Sequence, residues 1–363
     1  READQRRKDH ADKLSSLVQI DGAYYSPDKT VLIEVNKTVR TLNVLDSVTA
    51  IENEACYDCK NLKTVTLPAG LEEIGNFAFD GCSSLTAITI PDGITEIPCG
   101  AFMDCSSLKE VHIPKSVKRI EQRAFEDCYS FKPDASLWAQ LEYINGRAFE
   151  NTAITERVIP ASVGLASTKD NDGTFFGAFR NCESLKKAVL EEGHAIIPSA
   201  LFSGCKALTE VVIPKSVKAI GESAFSNCDS LKSIDIPDGV PEIGEYTFYG
   251  CDALTEVVLP KRVKKIGKKA FYGCESLKSI DIPNGVPEIY DETFEGCKAL
   301  TKVTIPGSVK RIGECAFHDC ESLESVKIGN GVEEIGSVAF AGCKSLKSII
   351  IPSSVERIYS GVP

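Results

Sequence analysis

The sequence predicts an α/β solenoid of about thirteen stacked repeats of 23 residues, with short strands and short helical or 3-10 turns. Three observations predict this fold class. The pattern L-x-x-V-x-I-P-x-x-V-x-x-I-G-x-x-A-F-x-x-C-x-x returns four times in succession over residues 208–299. The cysteines of the pattern keep the same period along most of the chain. In its V-x-I segments apolar residues recur at every second position, as they do in strands with one buried face. We therefore expect one linear core rather than separate globular domains.

Twelve cysteines fix the register of the repeat. Two series have a spacing of 23: Cys59, Cys82, Cys105 and Cys128, and then Cys182, Cys205, Cys228, Cys251, Cys274, Cys297, Cys320 and Cys343. The 54 residues from Cys128 to Cys182 equal two repeats plus eight additional residues, and Thr152 takes the cysteine position there. Stacked cysteines would lie about 5 Å apart and point the same way. That arrangement favours buried free thiols over disulfides.

Each part of the repeat has a structural reading. The V-x-I segment predicts a short strand with one buried face, and the following proline, which lacks an N–H, ends it. The V-x-x-I-G segment predicts a corner in which glycine tolerates a positive φ. The A-F-x-x-C segment predicts a single helical or 3-10 turn with the aromatic ring inside. No repeat can bury its apolar face alone, so stacking must form the core.

The repeat resembles the BspA-like (Treponema pallidum-type) leucine-rich repeats. The resemblance lies in I-P-x-x-V-x-x-I-G-x-x-A-F-x-x-C segments such as Ile213 to Cys228 and Ile305 to Cys320, and it covers roughly residues 20–360. It implies a curved, horseshoe-shaped leucine-rich-repeat solenoid that binds proteins, commonly at a cell surface, without catalysis. It transfers no binding residues, because members of this family share no fixed set.

We expect three regions along the chain. Residues 1–19 form a charged N-terminal extension, and residues 20–54 form capping strands that cover the first repeat. The stretch from Asp21 to Ile33 looks like the hairpin with which such arrays begin. Residues 55–363 form the repeat solenoid, with an irregular insertion at 129–177 where Trp138 replaces a proline. The eight additional residues fall within Gly164 to Phe176, which we expect to loop out of the stack.

Composition and charge limit the partners. The chain has 43% hydrophobic and 26% charged residues, ordinary values for a soluble protein. A net charge of −11 argues against a nucleic-acid partner. No apolar run approaches the 18 or so residues that would span a bilayer. The chain begins at Arg1 without methionine, so its compartment is not read from this end, and we expect a monomer.

The cysteine and histidine patterns do not predict chemistry. Cys56 and Cys59 form a C-x-x-C pair that could be redox-active or half of a zinc site, yet both occupy core positions of the repeat. Cys99 and Cys315 lie off the series, and nothing nearby marks either as a nucleophile. The histidines share no short spacing, and His194 falls at a core position. They are His10, His112, His194 and His318.

Two polar patterns have structural explanations. The run Asp170-Asn171-Asp172-Gly173 resembles part of a calcium loop, but it lacks the spaced ligands and favours an exposed turn. The residue before the second isoleucine of the repeat alternates in sign, which supports register because stacked like charges would repel. These residues are Glu242, Lys265, Glu288, Arg311, Glu334 and Arg357. We expect no catalytic site, metal site or cofactor.

The outward side chains of the V-x-I strands form the candidate binding surface. Several valines stand there, including Val189, and Ile350 stands at a matching position. An exposed apolar row suggests a protein interface, whereas the strand preference of valine alone is the competing explanation. The residues predicted to bind are Glu210, Val212, Asp235, Glu256, Val258, Asp281 and Lys302.

The sequence therefore favours a non-enzymatic protein-binding module. By the resemblance, it would be a surface or secreted, adhesin-like protein with a protein partner such as a host or extracellular-matrix protein. The alternative is a carbohydrate-binding or scaffolding segment of a larger envelope protein or enzyme. Exposed aromatic residues would favour glycans, and the strand row contains none.

Overall fold

The structure, a computed structural model, describes residues 14–360. Residues 1–13, which include His10 and most of the charged extension, and residues 361–363 lie outside the described part. The chain divides into two compact units, Arg1–Ile154 and Thr155–Pro363. Both units are built from turns of 23 residues, and most turns supply a first strand from V-x-I and a two-residue second strand from x-I. The predicted solenoid of 23-residue turns is confirmed.

Unit 1 begins with three antiparallel strands. They are β1 (Val18–Ile20), β2 (Ala23–Tyr25) and β3 (Val31–Val35). The β1–β2 turn contains Asp21 and Gly22, both at positive φ. β3 then pairs in parallel with the first two-residue strand of the solenoid, Ala50–Ile51. An antiparallel meander therefore changes into the parallel stack within this unit.

The regular turns of unit 1 form parallel ladders with a step of 23. Its first strands are β4 (Thr41–Asn43), β6 (Thr64–Thr66), β8 (Ala87–Thr89) and β10 (Glu110–His112). Its second strands are β5 (Ala50–Ile51), β7 (Glu73–Ile74), β9 (Glu96–Ile97), β11 (Arg119–Ile120) and β12 (Tyr143–Ile144). The irregular turn holds helix α1 (Ser136–Gln140), which buries Leu137 and Trp138.

Unit 2 repeats the arrangement. Its first strands are β13 (Glu156–Ile159), β17 (Lys187–Leu190), β19 (Glu210–Val212), β21 (Ser233–Asp235), β23 (Glu256–Val258), β26 (Lys302–Ile305) and β28 (Ser325–Ile328). Its second strands are β18 (Ile196–Ile197), β20 (Ala219–Ile220), β22 (Glu242–Ile243), β24 (Lys265–Ile266), β25 (Glu288–Ile289), β27 (Arg311–Ile312), β29 (Glu334–Ile335) and β30 (Arg357–Ile358). The remaining strands are β14 (Gly164–Leu165), β15 (Ser167–Lys169) and β16 (Phe175–Gly177).

The segment from Gly164 to Phe176 forms a hairpin rather than the irregular loop that the sequence predicts, and residues 169–174 at its tip are exposed. Glu156 of β13 pairs with Lys187 of β17 after 31 residues instead of 23, so the eight additional residues lie between these strands. β15 and β16 pair antiparallel. The Lys169 ammonium lies 4.6 Å from the centre of the Phe175 ring, and Phe175 is only half-exposed. The polar composition of this segment did not indicate a hairpin, because only Phe175 and Phe176 at its end are aromatic, and both rings contact cations.

A column of stacked phenylalanines fills the core of each unit. In unit 1 the ring centroids of successive turns are 5.4 to 5.7 Å apart, and in unit 2 they are 5.2 to 5.9 Å apart, with nearly parallel planes. In the irregular turn Phe131 packs against Phe125 at 4.5 Å, and Trp138 packs against Phe149 at 5.1 Å. Offset stacking at this spacing is favourable, so the ladder spacing of the backbone and the preferred ring spacing agree.

The cysteines of the repeat are buried and unbridged. A typical thiol donates to the backbone carbonyl of the residue 26 positions earlier, as Cys105 Sγ does to the Phe79 oxygen at 3.2 Å and Cys251 Sγ to the Phe225 oxygen at 3.1 Å. Each thiol therefore acts as a small core residue with a hydrogen bond between turns. Burial raises the pKa of Cys59 and of Cys251 to about 12. Cys99 and Cys315 are partly exposed.

The A-F-x-x-C segment forms hydrogen-bonded turns with the i to i−3 bonding of the predicted 3-10 alternative, but not a helix. The cysteine N–H donates to the phenylalanine carbonyl three residues back, as from Cys105 to Phe102 at 3.3 Å. The residue before the cysteine, or before Thr152, is always Asp, Asn or Gly, and it always has a positive φ, which these residues adopt most readily. The positions are Asp58, Gly81, Asp104, Asp127, Asn151, Asn181, Gly204, Asn227, Gly250, Gly273, Gly296, Asp319 and Gly342.

The glycine of the I-G corner is needed for a reason other than the predicted positive φ. Gly221, Gly267 and Gly313 do not lie in the left-handed region. A Cβ atom at each would come within 2.4 to 2.7 Å of a backbone nitrogen of the preceding turn. The expectation of positive φ was wrong here, because close approach between turns, which a single repeat cannot reveal, selects the glycine.

Replacing Gly273 should separate conformation from packing. A Cβ atom there would meet only Gly250, at 3.8 Å, whereas φ is +70°. We expect Gly273→Ala to lower the free energy of unfolding by about 1 kcal/mol and Gly273→Asn to cost roughly half of that. Urea denaturation measures both. Gly70→Ala is the control, since that glycine has open space and a φ outside the left-handed region. Equal costs for Ala and Asn would contradict this explanation.

The buried thiols should be inert in the native chain. At pH 8 a thiol-exchange reagent such as DTNB should label at most Cys99 and Cys315, and slowly, because burial also raises the pKa of Cys315, to about 11. Unfolding in guanidinium chloride should make all fifteen thiols reactive. Rapid labelling of many thiols before unfolding would mean that neighbouring turns separate in the native state.

Candidate protein-binding surface

The outward side chains of the first strands in unit 2 form one surface, here called the first-strand row. It consists of the first and third residues of β13, β17, β19, β21, β23 and β26, together with Ser279 and Asp281. Every residue predicted from the sequence to bind a partner is exposed on it. These are Glu210, Val212, Asp235, Glu256, Val258, Asp281 and Lys302.

Parallel pairing aligns these residues in two columns. Lys187 lies beside Glu210, and Ser233 beside Glu256. In the other column Asp235 lies beside Val258. Partners in parallel ladders are about 4.8 Å apart, so a ligand laid across the strands would meet several of these side chains at once.

The row has an apolar end, which includes Val158 in addition to the valines that the sequence analysis named. Val158 is paired with Val189, and Val189 with Val212, on three adjacent strands. Val158 is 50% exposed and Val212 is 42% exposed, whereas Val189 is only half-exposed. Val158 was overlooked because it lies where the repeat appeared irregular. The Ile159-Pro160 pair that follows it, as in regular repeats, is the signal that could have found it.

A depression interrupts the row after β23. The next turn has no strand at this position, and Ser279 alone bridges Glu256 on one side and Lys302 on the other. A cavity of about 580 Å³ opens here, lined among others by Val258, Lys261 and Asp281. Val258 is 73% exposed at its edge. The site thus combines an apolar residue, a carboxylate and a local recess.

Some charged side chains of the row form an ion pair and others do not. Lys187 Nζ lies 2.7 Å from a Glu210 carboxylate oxygen. Within residues 14–360, Asp235, Glu256 and Asp281 take part in no ion pair. These three carboxylates and the nearby valines are therefore available to a partner that carries positive charge beside apolar groups.

The second strands behave largely as the charge alternation predicts. Arg357 lies 3.3 Å from Glu334, and Arg311 forms an ion pair with Glu288. Arg311 also contacts Asp291 at 3.0 Å, which was not foreseen. Glu242 and Lys265 are neighbours in the ladder, yet no ion pair joins them in the described structure. Exposed pairs of this kind contribute about 0–1 kcal/mol each and support register.

The residues considered for chemistry lie in structural roles. Cys56 and Cys59 are fully buried, in agreement with the core interpretation. His194 is 7% exposed, with Nε2 at 3.3 Å from the Ile159 carbonyl, as expected of a core histidine. Asp170 Oδ1 accepts hydrogen bonds from the backbone of Asp172 and Thr174, which makes the predicted turn. Within residues 14–360 no group of three potential metal ligands is found.

Unit 1 contains carboxyl groups with perturbed acidity. Burial, followed by the nearby Glu150, raises the pKa of Glu126 to about 7, against the opposing effect of Arg147 and Arg123. Burial, followed by the charges of neighbouring acidic residues, raises the pKa of Asp80 to about 6. Such shifts occur at catalytic sites but also in structural clusters. The arginine contacts of Glu126, both at 3.3 Å, make it part of a buried ionic cluster.

Comparison with known proteins identifies the repeat. The family model described as "BspA type Leucine rich repeat region" matches in six copies, over residues 37–169, 176–301 and 241–362. No curated protein matches the chain. Among residues 14–360 there is no helix of the length and apolarity that crossing a bilayer requires.

Solved structures share the fold. A leucine-rich repeat protein from Bacteroides ovatus is 24% identical, with a TM-score of 0.59, over 94% of this chain and 96% of the other. A leucine rich cell surface protein from Faecalibacterium prausnitzii is also 24% identical, with a TM-score of 0.59, over 92% and 94%. A leucine-rich repeat protein from Eubacterium ventriosum is 23% identical, with a TM-score of 0.57, over 97% and 95%.

Substitution of Asp80 should reveal the pH dependence of its burial. The folded pKa, about 6, lies above the ordinary value of 3.8, so the folded state binds the proton more tightly. The resulting destabilisation is full above pH 6 and is relieved as the pH falls toward 4. Asp80→Asn should therefore stabilise the chain by about 1–3 kcal/mol at pH 8, and by roughly half as much at pH 5. Urea denaturation at both values measures this.

The control is Asp92→Asn, because Asp92 is exposed. It should change the free energy of unfolding by less than about 0.5 kcal/mol at both pH values. A gain for Asp80→Asn that is equal at pH 5 and pH 8 would contradict the assignment of the effect to proton binding.

Proposed function

The chain belongs to the BspA-type leucine-rich repeat family, and we propose that it is a non-enzymatic protein-binding module that contacts its partner through the first-strand row. The observation that carries this proposal is the coexistence of exposed valines and unpaired carboxylates on adjacent strands. Val212 and Val258 expose 42% and 73% of their surface beside Asp235. Exposed apolar groups ringed by polar ones are typical of interaction sites.

The rigidity of the row supports a binding role. Its side chains stand on strands held in register by neighbouring turns, so little freedom is lost when a partner docks. The row extends from Glu156 of β13 to Thr304 of β26. A surface of this kind suits an extended or gently curved protein surface rather than a small molecule. The partner should present positive charge opposite Asp235, Glu256 and Asp281.

The setting that we propose is the cell surface or the secreted fraction, with the chain acting as a monomeric, adhesin-like protein. One of the similar solved structures is described as a leucine rich cell surface protein. Partners of the proposed class are host or extracellular-matrix proteins. The net charge of −11 disfavours nucleic acid.

The carbohydrate-binding alternative has less support. The outward residues of the first-strand row are aliphatic, hydroxylic or charged, and none is aromatic. Tyr249 and Tyr272 lie elsewhere in unit 2, and their rings stack on each other with centroids 4.9 Å apart. Lys269 lies within 6 Å of the Tyr272 ring. The stacked ring faces are thus already in contact within the protein, so we do not propose them as a sugar platform.

Charge reversal on the row should weaken partner binding. The full chain is first immobilised and probed with purified extracellular-matrix proteins and with a glycan array. For a protein so captured, Asp235→Lys combined with Asp281→Lys should reduce affinity about tenfold or more. Stability should change by less than about 0.5 kcal/mol, since both side chains are exposed. Surface plasmon resonance and urea denaturation measure the two effects.

A matched control reverses two exposed carboxylates outside the row, Asp46→Lys with Asp238→Lys. This control changes the net charge equally and should leave the affinity within about twofold. If the captured protein binds the row variant as tightly as the control, the first-strand row is not the binding surface. Capture of glycans alone would overturn the protein-binding proposal itself.

A further inference from the structure

A second depression in unit 2 lies on a different sheet, between the β15–β16 hairpin and the second strands. Its volume is about 480 Å³. One wall comes from Leu165, Ala166 and Ser167 at the start of the hairpin. The floor and opposite wall come from the second strands β18, β20, β22 and β24 and the corners that follow them. The start of the hairpin therefore supplies one wall of this depression, whereas a depression of similar volume beside Ile74 and Glu96 in unit 1 is formed by regular turns alone.

The floor of this groove is apolar where the equivalent surface elsewhere is charged. Ile196 is 58% exposed and pairs with Ala219 of the next turn. In most other turns this outward position of the second strand holds a charged residue, such as Glu96, Arg311 or Glu334, although Ala50, Tyr143 and Ala219 are uncharged. An isoleucine is thus exposed at a position usually occupied by charge, inside a depression that glutamates also line, and this combination makes it a candidate contact for a partner.

The rim of the groove is acidic. Glu222, Glu242 and Glu245 line it, with Lys265 as the one cation among the lining residues. Within residues 14–360 none of the three glutamates takes part in an ion pair. At the position of Glu242 the acid of later turns is paired, as Glu334 is with Arg357 at 3.3 Å. The three unpaired glutamates lie in the two turns that follow the turn of the exposed isoleucine.

Glu222 and Glu245 also occupy the same position in consecutive turns, directly after the corner glycine. Stacking places these like charges beside each other, which disfavours the free protein. A bound cation would relieve the repulsion. An apolar floor with an unpaired acidic rim is therefore complementary to an apolar side chain flanked by lysine or arginine.

We propose that this groove, between the β15–β16 hairpin and the second strands, binds a short basic segment of a partner protein that inserts one aliphatic side chain against Ile196. The site is separate from the first-strand row. It belongs to another sheet, and its binding does not depend on the proposed function of that row. The volume of about 480 Å³ accommodates one such side chain and part of its flanking backbone.

The test uses the full chain and a fluorescent heptapeptide with a central leucine between two lysines and two arginines, capped by glycines. Fluorescence anisotropy should detect binding that weakens several-fold between about 50 mM and about 300 mM salt. A peptide with serine in place of leucine should bind about tenfold more weakly, because one buried aliphatic side chain contributes at least that factor. Equal binding of the two peptides would overturn the proposal, since it would reflect only the acidity of the protein.

Two pairs of variants locate the site. Ile196→Lys should weaken binding of the leucine peptide at least tenfold, whereas Ala195→Lys, which adds the same charge at the neighbouring exposed residue, should weaken it less than about threefold. Glu222→Gln with Glu245→Gln should weaken binding about threefold to tenfold at low salt. Its control, Glu324→Gln with Glu356→Gln, removes two exposed carboxylates elsewhere and should have little effect.

Ile196→Lys should not disturb folding, because Lys265 occupies the equivalent outward position in β24. Circular dichroism and the urea midpoint of Ile196→Lys should match those of Ala195→Lys. If the two lysine variants bind the peptide equally, the proposal is overturned. The variant Asp235→Lys with Asp281→Lys should retain most of the peptide affinity, and a tenfold loss there would place the peptide on the first-strand row instead.

Discussion

The structure depends on one constraint, which is that every position of the repeat stacks on its own equivalent in the next turn. Backbone pairing between turns sets a spacing of about 4.8 Å, and each column of side chains must tolerate self-contact at that distance. Phenylalanine does so by offset stacking at 5.2 to 5.9 Å in unit 2. Cysteine does so because it is small and its thiol donates to a carbonyl of an earlier turn. Glycine does so at the I-G corner because a Cβ atom would strike the preceding backbone.

Charged columns meet the same constraint by alternating in sign. Glu288 and Arg311 are paired, and Glu334 and Arg357 are paired. Where like charges stack, the surface acquires unsatisfied charge, as at Glu222 and Glu245 in the two turns after the exposed Ile196. The first-strand row shows a related departure, with unpaired carboxylates beside exposed valines. In a repeat protein, a side chain that its equivalents in neighbouring turns do not satisfy therefore marks a candidate binding surface, because stacking does not account for its presence.

A binding module made in this way separates stability from recognition. The buried columns stabilise each turn against its neighbours, and the outward positions of the strands can vary without disturbing them. This explains why the family resemblance predicts the fold well and transfers no binding residues. It also explains how buried thiols are compatible with the proposed surface location, since Cys251 has no exposed area and burial raises its pKa to about 12.

The period and its cysteines determined the fold, the strand positions and the exposure of residues such as Val212 and Val258, because alternation along a strand is a local property. The positive φ before each cysteine of the repeat could be predicted as well, because Asp, Asn or Gly always stands there. Tertiary structure alone decided the rest. The residue before the Ala-Phe pair has positive φ whether it is Phe77, Lys269 or Val338, because its N–H bonds to the next turn, from Phe77 to Cys99 at 2.8 Å. Likewise, only packing against the next turns shows that residues 164–176 form a hairpin beside Ile196, since a groove requires elements that are distant in sequence.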